Sequence, residues 1–132
     1  MRSSNPNSPA TQPLIYVEYE NPVIAKLVMN SLQRDGYRVE TLPDPSKPMK
    51  AAKSTQFKPV LLVSDFSMSM RDALALIKRL KDLTPSLKTI RFGASLFTNL
   101  QNEHQGMRID LTLPLFSKLE HLRVAVKQLL RQ

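Results

Sequence analysis

Residues 59–69 read Pro59-Val60-Leu61-Leu62-Val63-Ser64-Asp65-Phe66-Ser67-Met68-Ser69. Val60 to Val63 is an unbroken apolar run without alternation. Such a run describes a strand covered on both faces, as in the middle of a parallel sheet. The strand is expected over 59–64, with Asp65 at its carboxyl end. Ser69 is a natural N-cap for a helix over 69–83, whose buried face would be Ala73, Leu74, Leu76, Ile77, Leu80 and Leu83. A buried strand, an acidic turn and an amphipathic helix in that order are half of a βαβ unit.

The flanks repeat the pattern. Toward the N-terminus, Leu14-Ile15-Tyr16-Val17 reads as a second buried strand. Asn21-Pro22 then opens a helix, with Pro in the first turn where its missing N–H does no harm. Val23, Ile24, Leu27, Val28 and Leu32 follow at helical spacing, Gly36 stops the helix, and Tyr37–Leu42 alternates as a strand. Toward the C-terminus come a turn at Thr84-Pro85-Ser86 and a strand at Leu87–Phe92, interrupted by Lys88 and Arg91. A weaker helix over 94–104, a fifth strand at Ile109–Leu113 and an amphipathic helix at Leu115–Leu130 complete the chain. Alternating strands and helices require crossover connections and a parallel sheet with helices on both faces. The expected fold class is therefore α/β, a doubly wound five-stranded parallel sheet of strand order 2-1-3-4-5. Residues 43–58 hold three prolines and four lysines and read as a solvated loop in place of the second helix, with a short helix near 49–54 as the alternative. Residues 1–13 are Ser, Asn, Pro and Thr and read as a tail or linker ahead of a domain spanning 14–132.

Composition narrows the chemistry. The chain has 132 residues and 42% hydrophobic content, enough for one domain with a core. It has no cysteine, which excludes a disulfide scaffold, a thiol nucleophile and thiolate metal sites. Only His104 and His121 are present, and neither has a partner at metal-ligand or nucleophile–base spacing. Three glycines cannot build a phosphate-binding loop. No apolar run reaches membrane-spanning length and no signal sequence is evident, so the expected setting is the cytoplasm. The net charge is +8, from 19 Lys+Arg and 11 Asp+Glu. With 6% aromatics and no Trp, stacking platforms for nucleic acid are scarce, so nucleic-acid binding is disfavoured. A small anionic ligand such as a nucleotide second messenger is an alternative, with Arg91 and Arg108 as its candidate residues.

In a doubly wound sheet, functional residues gather at the carboxyl ends of the strands. Asp65 ends the third strand, while Glu18 and Glu20 are expected just past the first, its neighbour. Three carboxylates converging there would suit Mg²⁺, and a carboxylate beside Mg²⁺ can accept a phosphoryl group. The plainer reading of Asp65 is a turn-starting residue.

The segment from Leu14 to Arg131 resembles the receiver domains of two-component response regulators and hybrid sensor histidine kinases. Glu20-Asn21-Pro22 looks like the acidic-Asn-Pro motif after strand 1. Asp65-Phe66-Ser67-Met68-Ser69 is similar to the segment around the phosphoacceptor aspartate. Gly106-Met107 and Leu111–Leu115 look like the strand-5 signature. The resemblance implies a flavodoxin-like fold, Asp65 as candidate phosphoacceptor, and Mg²⁺ held by Glu20, Asp65 and Glu18 if the site works. The departures are specific. Leu113 stands where the family carries a lysine. Gly93 stands in place of the strand-4 hydroxyl, with Ser95 two positions on. Ser69 replaces a proline. Tyr19 takes the first acidic position if Asn21-Pro22 anchors the match, and Glu18 takes it on a one-residue shift. Each lost charge-assisted contact is worth ~2–4 kcal/mol in a transition state. The resemblance thus implies a degenerate receiver, or pseudoreceiver, with no enzymatic activity of its own and no cofactor. It would act by contact with a histidine kinase core or a neighbouring receiver, and a face including Phe97, Leu100, Arg108, Asp110, Phe116, Leu119, Arg123 and Lys127 would carry that contact. The alternative is an atypical receiver that still accepts phosphate on Asp65 with Mg²⁺.

Overall fold

The computed structural model describes residues 13–41, 58–94, 109–114 and 117–131. The elements run β1 (Leu14–Glu18), α1 (Pro22–Arg34), β2 (Arg38–Thr41), β3 (Leu61–Ser64), α2 (Met70–Leu83), β4 (Lys88–Ala94), β5 (Leu111–Pro114) and α3 (Leu119–Leu130). The five strands form one sheet of order β2-β1-β3-β4-β5, every pairing parallel. This is the expected doubly wound topology. The expected helices near 49–54 and over 94–104 lie outside the described residues, as do the tail at 1–12 and most of the lysine-rich stretch.

The sheet separates two apolar layers. Ile15, Val17, Leu61, Val63, Ile90 and Phe92 pack with Val28 and Leu32 of α1 and with Leu122 and Val126 of α3. Leu14, Tyr16 and Leu62 pack on the other face with Phe66 and with Ala73, Leu76, Ile77 and Leu80 of α2. The completely buried β1 and β3 account for the non-alternating apolar runs of the sequence.

The helix signals act as read. Asn21 caps α1, its Oδ1 accepting from the Val23 and Ile24 amides at 2.8 and 3.3 Å. Ser69 caps α2 through the Asp72 amide at 3.1 Å. Gly36 follows α1 with φ +94°, a backbone conformation that costs L-residues strain. His121 is exposed and its Nδ1 accepts from the Lys118 amide at the start of α3.

Four details differ from the sequence reading. β1 runs through Glu18, so that residue lies inside the strand and not past it. β4 extends to Ala94, where a helix was expected to begin, and its register with β5 shifts between Phe92 and Ala94. On α1 the core is met by Ala25, Val28, Ser31 and Leu32, while Val23, Ile24 and Leu27 are 66%, 40% and 50% exposed. The buried stripe is thus rotated from the strongest apolar residues. Finally, Arg123 does not stand free on a partner-binding face. Its Nε and Nη2 donate to both carboxylate oxygens of Asp35, at 2.9 and 2.8 Å, tying α3 to the end of α1.

Candidate functional site

The carboxyl edge of the sheet lies where β1, β3 and β4 end together. Glu18 is the last residue of β1 and pairs in register with Ser64, the last of β3; Ser64 pairs with Arg91 of β4. Asp65 leaves β3 at this point, half-buried, and its Oδ1 accepts from the Ser67 amide at 3.1 Å. That is an Asx-type turn closing the loop toward α2. Burial chiefly raises the pKa of the Asp65 carboxyl, the Ser67 hydrogen bonds oppose this, and the charge of Glu20 adds to it. Glu20 itself is exposed beside the Asn21 cap.

Glu18 is differently placed. It is 4% exposed, and Ser64 Oγ donates to its Oε1 at 2.6 Å. The same Oγ accepts from the amide of Phe66 at 2.8 Å. Phe66 is buried, has φ +51° and immediately follows Asp65. A left-handed backbone at a bulky residue costs of order 1 kcal/mol and needs local support. The Glu18–Ser64–Phe66 chain supplies that support and so fixes the peptide that carries Asp65. Burial raises the Glu18 pKa, the Ser64 hydrogen bond lowers it, and Asp65 and Glu20 raise it further. The Asp65 turn was foreseeable from sequence, but its anchor was not: Glu18 and Ser64 are 46 residues apart and no motif marks them.

Tyr19, at the position where the resemblance calls for an acid, is 8% exposed and belongs to the core layer under α1 and α3. Its hydroxyl donates to the Phe92 carbonyl at 2.7 Å. A phenol therefore bridges from the end of β1 to β4 at the sheet edge. Burial, with Asp65 and Glu18 nearby, drives its pKa well above the ordinary range, so it stays a neutral donor. Leu113 of β5 is half-buried and packs against the same layer. It supplies no charge where a lysine was expected. Arg91, a candidate residue for a small anion, is only 4% exposed. Asp110 Oδ2 accepts from the Thr89 amide at 2.7 Å.

The resemblance implies Mg²⁺ on Glu20, Asp65 and Glu18. The donor set fits this poorly. The Glu18 carboxyl is buried and tied to Ser64, which leaves Glu20 and Asp65. Among the described residues no group of three His, Asp or Glu side chains could hold a metal ion. A cleft of about 600 Å³ opens between α1 and the ends of β1 and β2. Its polar lining sets Lys26 against Glu18 and Glu20, so it offers no excess positive charge for an anion. Arg108 lies outside the described residues.

No protein-family model matches the chain, and no curated protein matches its sequence. Solved structures do share the fold. A candidate pilus assembly-related protein of Burkholderia pseudomallei matches at TM-score 0.66 and 17% identity, over 98% of this chain and 94% of that one. The chemotaxis response regulator CheY4 of Vibrio cholerae matches at TM-score 0.72 and 18% identity, over 91% of this chain and 100% of that one. A chain from the complex of histidine kinase ThkA with response regulator TrrA matches at TM-score 0.66 and 20% identity, over 90% and 99%. The fold is the flavodoxin-like fold of receiver domains. No described helix is long and apolar enough to cross a membrane.

Proposed function

We propose that this chain is a non-catalytic receiver-like module that acts by protein–protein contact in two-component signalling, within or beside a hybrid sensor histidine kinase. Its partner in this reading is a histidine kinase core or a neighbouring receiver. The observation that carries the proposal is the phenol of Tyr19, buried and bonded to the Phe92 carbonyl at the end of β1. A neutral, fully engaged donor there can neither ligate a cation nor meet a phosphoryl group. Leu113 removes a second charge. The exposed apolar side chains Val23, Ile24 and Leu27 on α1 begin one turn from Glu20 and give a protein partner something to cover. A chain from a complex of a histidine kinase with a response regulator shares this fold, which makes a kinase core the first partner to test. Fold alone does not assign function, and the pilus assembly-related neighbour has the same architecture.

The second reading is an atypical receiver, favoured by the half-buried Asp65 at the end of β3. In that case acetyl phosphate would transfer its phosphoryl group to an Asp65 carboxylate oxygen, releasing acetate. Incubation with acetyl phosphate and Mg²⁺, followed by intact mass measurement, separates the two. A non-catalytic module gives no adduct. A stoichiometric adduct absent from Asp65→Asn would replace it with the second reading. A nucleotide second-messenger module is the third reading, and thermal-shift screening with cyclic dinucleotides removes it if no ligand stabilises the fold.

A further inference from the structure

Among the described residues, the exposed large apolar side chains are Val23, Ile24, Leu27 and Val124. The first three lie on α1 and the fourth on α3. These two helices cover the same face of the sheet, and Arg123 and Asp35 tie them together. Both follow the carboxyl end of a strand and run back toward the amino edge, so they lie parallel to each other. At ~100° per residue, Val23, Leu27 and Arg34 fall within about 40° of one another on α1, and Glu120, Val124 and Lys127 within about 60° on α3. Each set lies opposite its helix's buried stripe, Ala25, Val28 and Leu32 on α1 and Leu122, Ala125 and Val126 on α3. The charged members are all exposed, as is Glu20 just before α1. Both helices thus present acid, apolar and base in the same order, from the carboxyl edge to the amino edge. That order also suits each helix's own dipole, so the apolar residues between the charges are the part that only a partner explains.

We propose that the α1–α3 face docks a second copy of this chain, in an antiparallel two-fold pair. Charge order selects this occupant. A surface of one sign fits a partner of the opposite sign, but a face with an acidic end and a basic end is complementary to itself. A closed two-fold interface uses the same patch on both copies, with its axis lying in the patch. An axis parallel to the helices would set Glu20 and Glu120 of the two copies at the same end, acid near acid. An axis across the helices sets α1 against α1 and α3 against α3, each reversed. Glu20 then approaches Arg34 of the other copy, and Glu120 approaches Lys127. Val23, Leu27 and Val124 lie between these charged ends and are covered. Four apolar side chains on each copy make a small contact, so the pair is weak and reversible. The proposal does not rest on contact with a kinase, and its failure leaves the proposed function standing.

Sedimentation equilibrium of the full chain, from about 10 μM to about 1 mM, tests it. The mass of wild-type protein should rise from monomer toward dimer across this range. Amide shifts that change with concentration, read by NMR, should fall on α1 and α3. Leu27→Asp should weaken association about tenfold or more. Glu120→Lys and Lys127→Glu should each weaken it by about fivefold, since like charges then meet twice in every pair. An equimolar mixture of those two variants should recover wild-type association, because every altered residue then faces an opposite charge. The substituted side chains are all exposed, and circular dichroism checks that each variant folds. A wild-type chain that stays monomeric at about 1 mM overturns the proposal, and a kinase core that shifts the same residues would then be the occupant of the face. Association that Leu27→Asp leaves unchanged, shifts confined to the sheet edges β2 or β5, or a mixture that recovers nothing also overturns it.

Discussion

Replacing Ser64 by Ala probes the hinge of the site. Ser64 is fully buried, and its Oγ donates to Glu18 Oε1 at 2.6 Å and accepts from the Phe66 amide at 2.8 Å. The substitution removes both bonds and leaves a buried acid and a buried N–H without this partner. Each orphaned group costs about 1–3 kcal/mol, so the total expected loss is about 2–6 kcal/mol. For a chain of this size that corresponds to a melting temperature lower by roughly 7–22 °C. Urea and thermal unfolding monitored by circular dichroism measure it. The loss should shrink in a Glu18→Gln background, because there the substitution orphans a neutral amide oxygen and not a buried carboxylate. A Ser64→Ala melting temperature within about 2 °C of wild type would refute the claim that this chain supports the Asp65 loop.

Other expectations follow from the same contacts. Tyr19→Phe loses the buried bond to the Phe92 carbonyl and should destabilise by about 1–3 kcal/mol in urea titration. Glu18 has a folded pKa raised above 4.5, so its favourable contribution is complete below the unfolded value and is lost as pH rises through the raised folded value. Glu18→Gln, which keeps an acceptor for Ser64 but cannot ionise, should therefore gain stability relative to wild type as pH rises, with the smallest difference below pH 4.5. Thermal melts across a pH series measure this. Asp35 is the opposite case: the Arg123 hydrogen bonds chiefly hold its pKa below 3.8, so Asp35→Asn should melt lower at neutral pH, and the difference should vanish as acid protonates the wild-type carboxyl. Gly36→Ala has open space for its Cβ but a backbone at φ +94°, and should cost about 1–2 kcal/mol in urea titration from strain alone.

The fold was legible because its signals are local. Val60–Val63 and Leu14–Val17 are continuous apolar runs, Asn21 and Ser69 are strong caps, and together they order the βαβ units. The position of Asp65 followed from the end of its strand. What escaped depends on contacts between distant residues. A carboxylate normally signals the end of a buried strand, yet Glu18 stays inside β1 because Ser64 of the neighbouring strand satisfies it. Arg91 reads as an interruption of its strand, yet it is buried in register with Ser64 of the neighbouring strand. Tyr19 has no acid-like signature, and only the Phe92 carbonyl explains its place. On α1 periodicity alone admitted several rotations, and packing chose one that leaves Val23 and Leu27 outside.

The central claim is that partner contact does not depend on phosphorylation of Asp65. Its most direct test is the affinity of a histidine kinase core for this chain, measured by isothermal calorimetry for wild type and Asp65→Asn, each with and without acetyl phosphate and Mg²⁺. One dissociation constant is expected across all four conditions. A wild-type affinity that shifts about tenfold or more with acetyl phosphate, while Asp65→Asn does not respond, would contradict it.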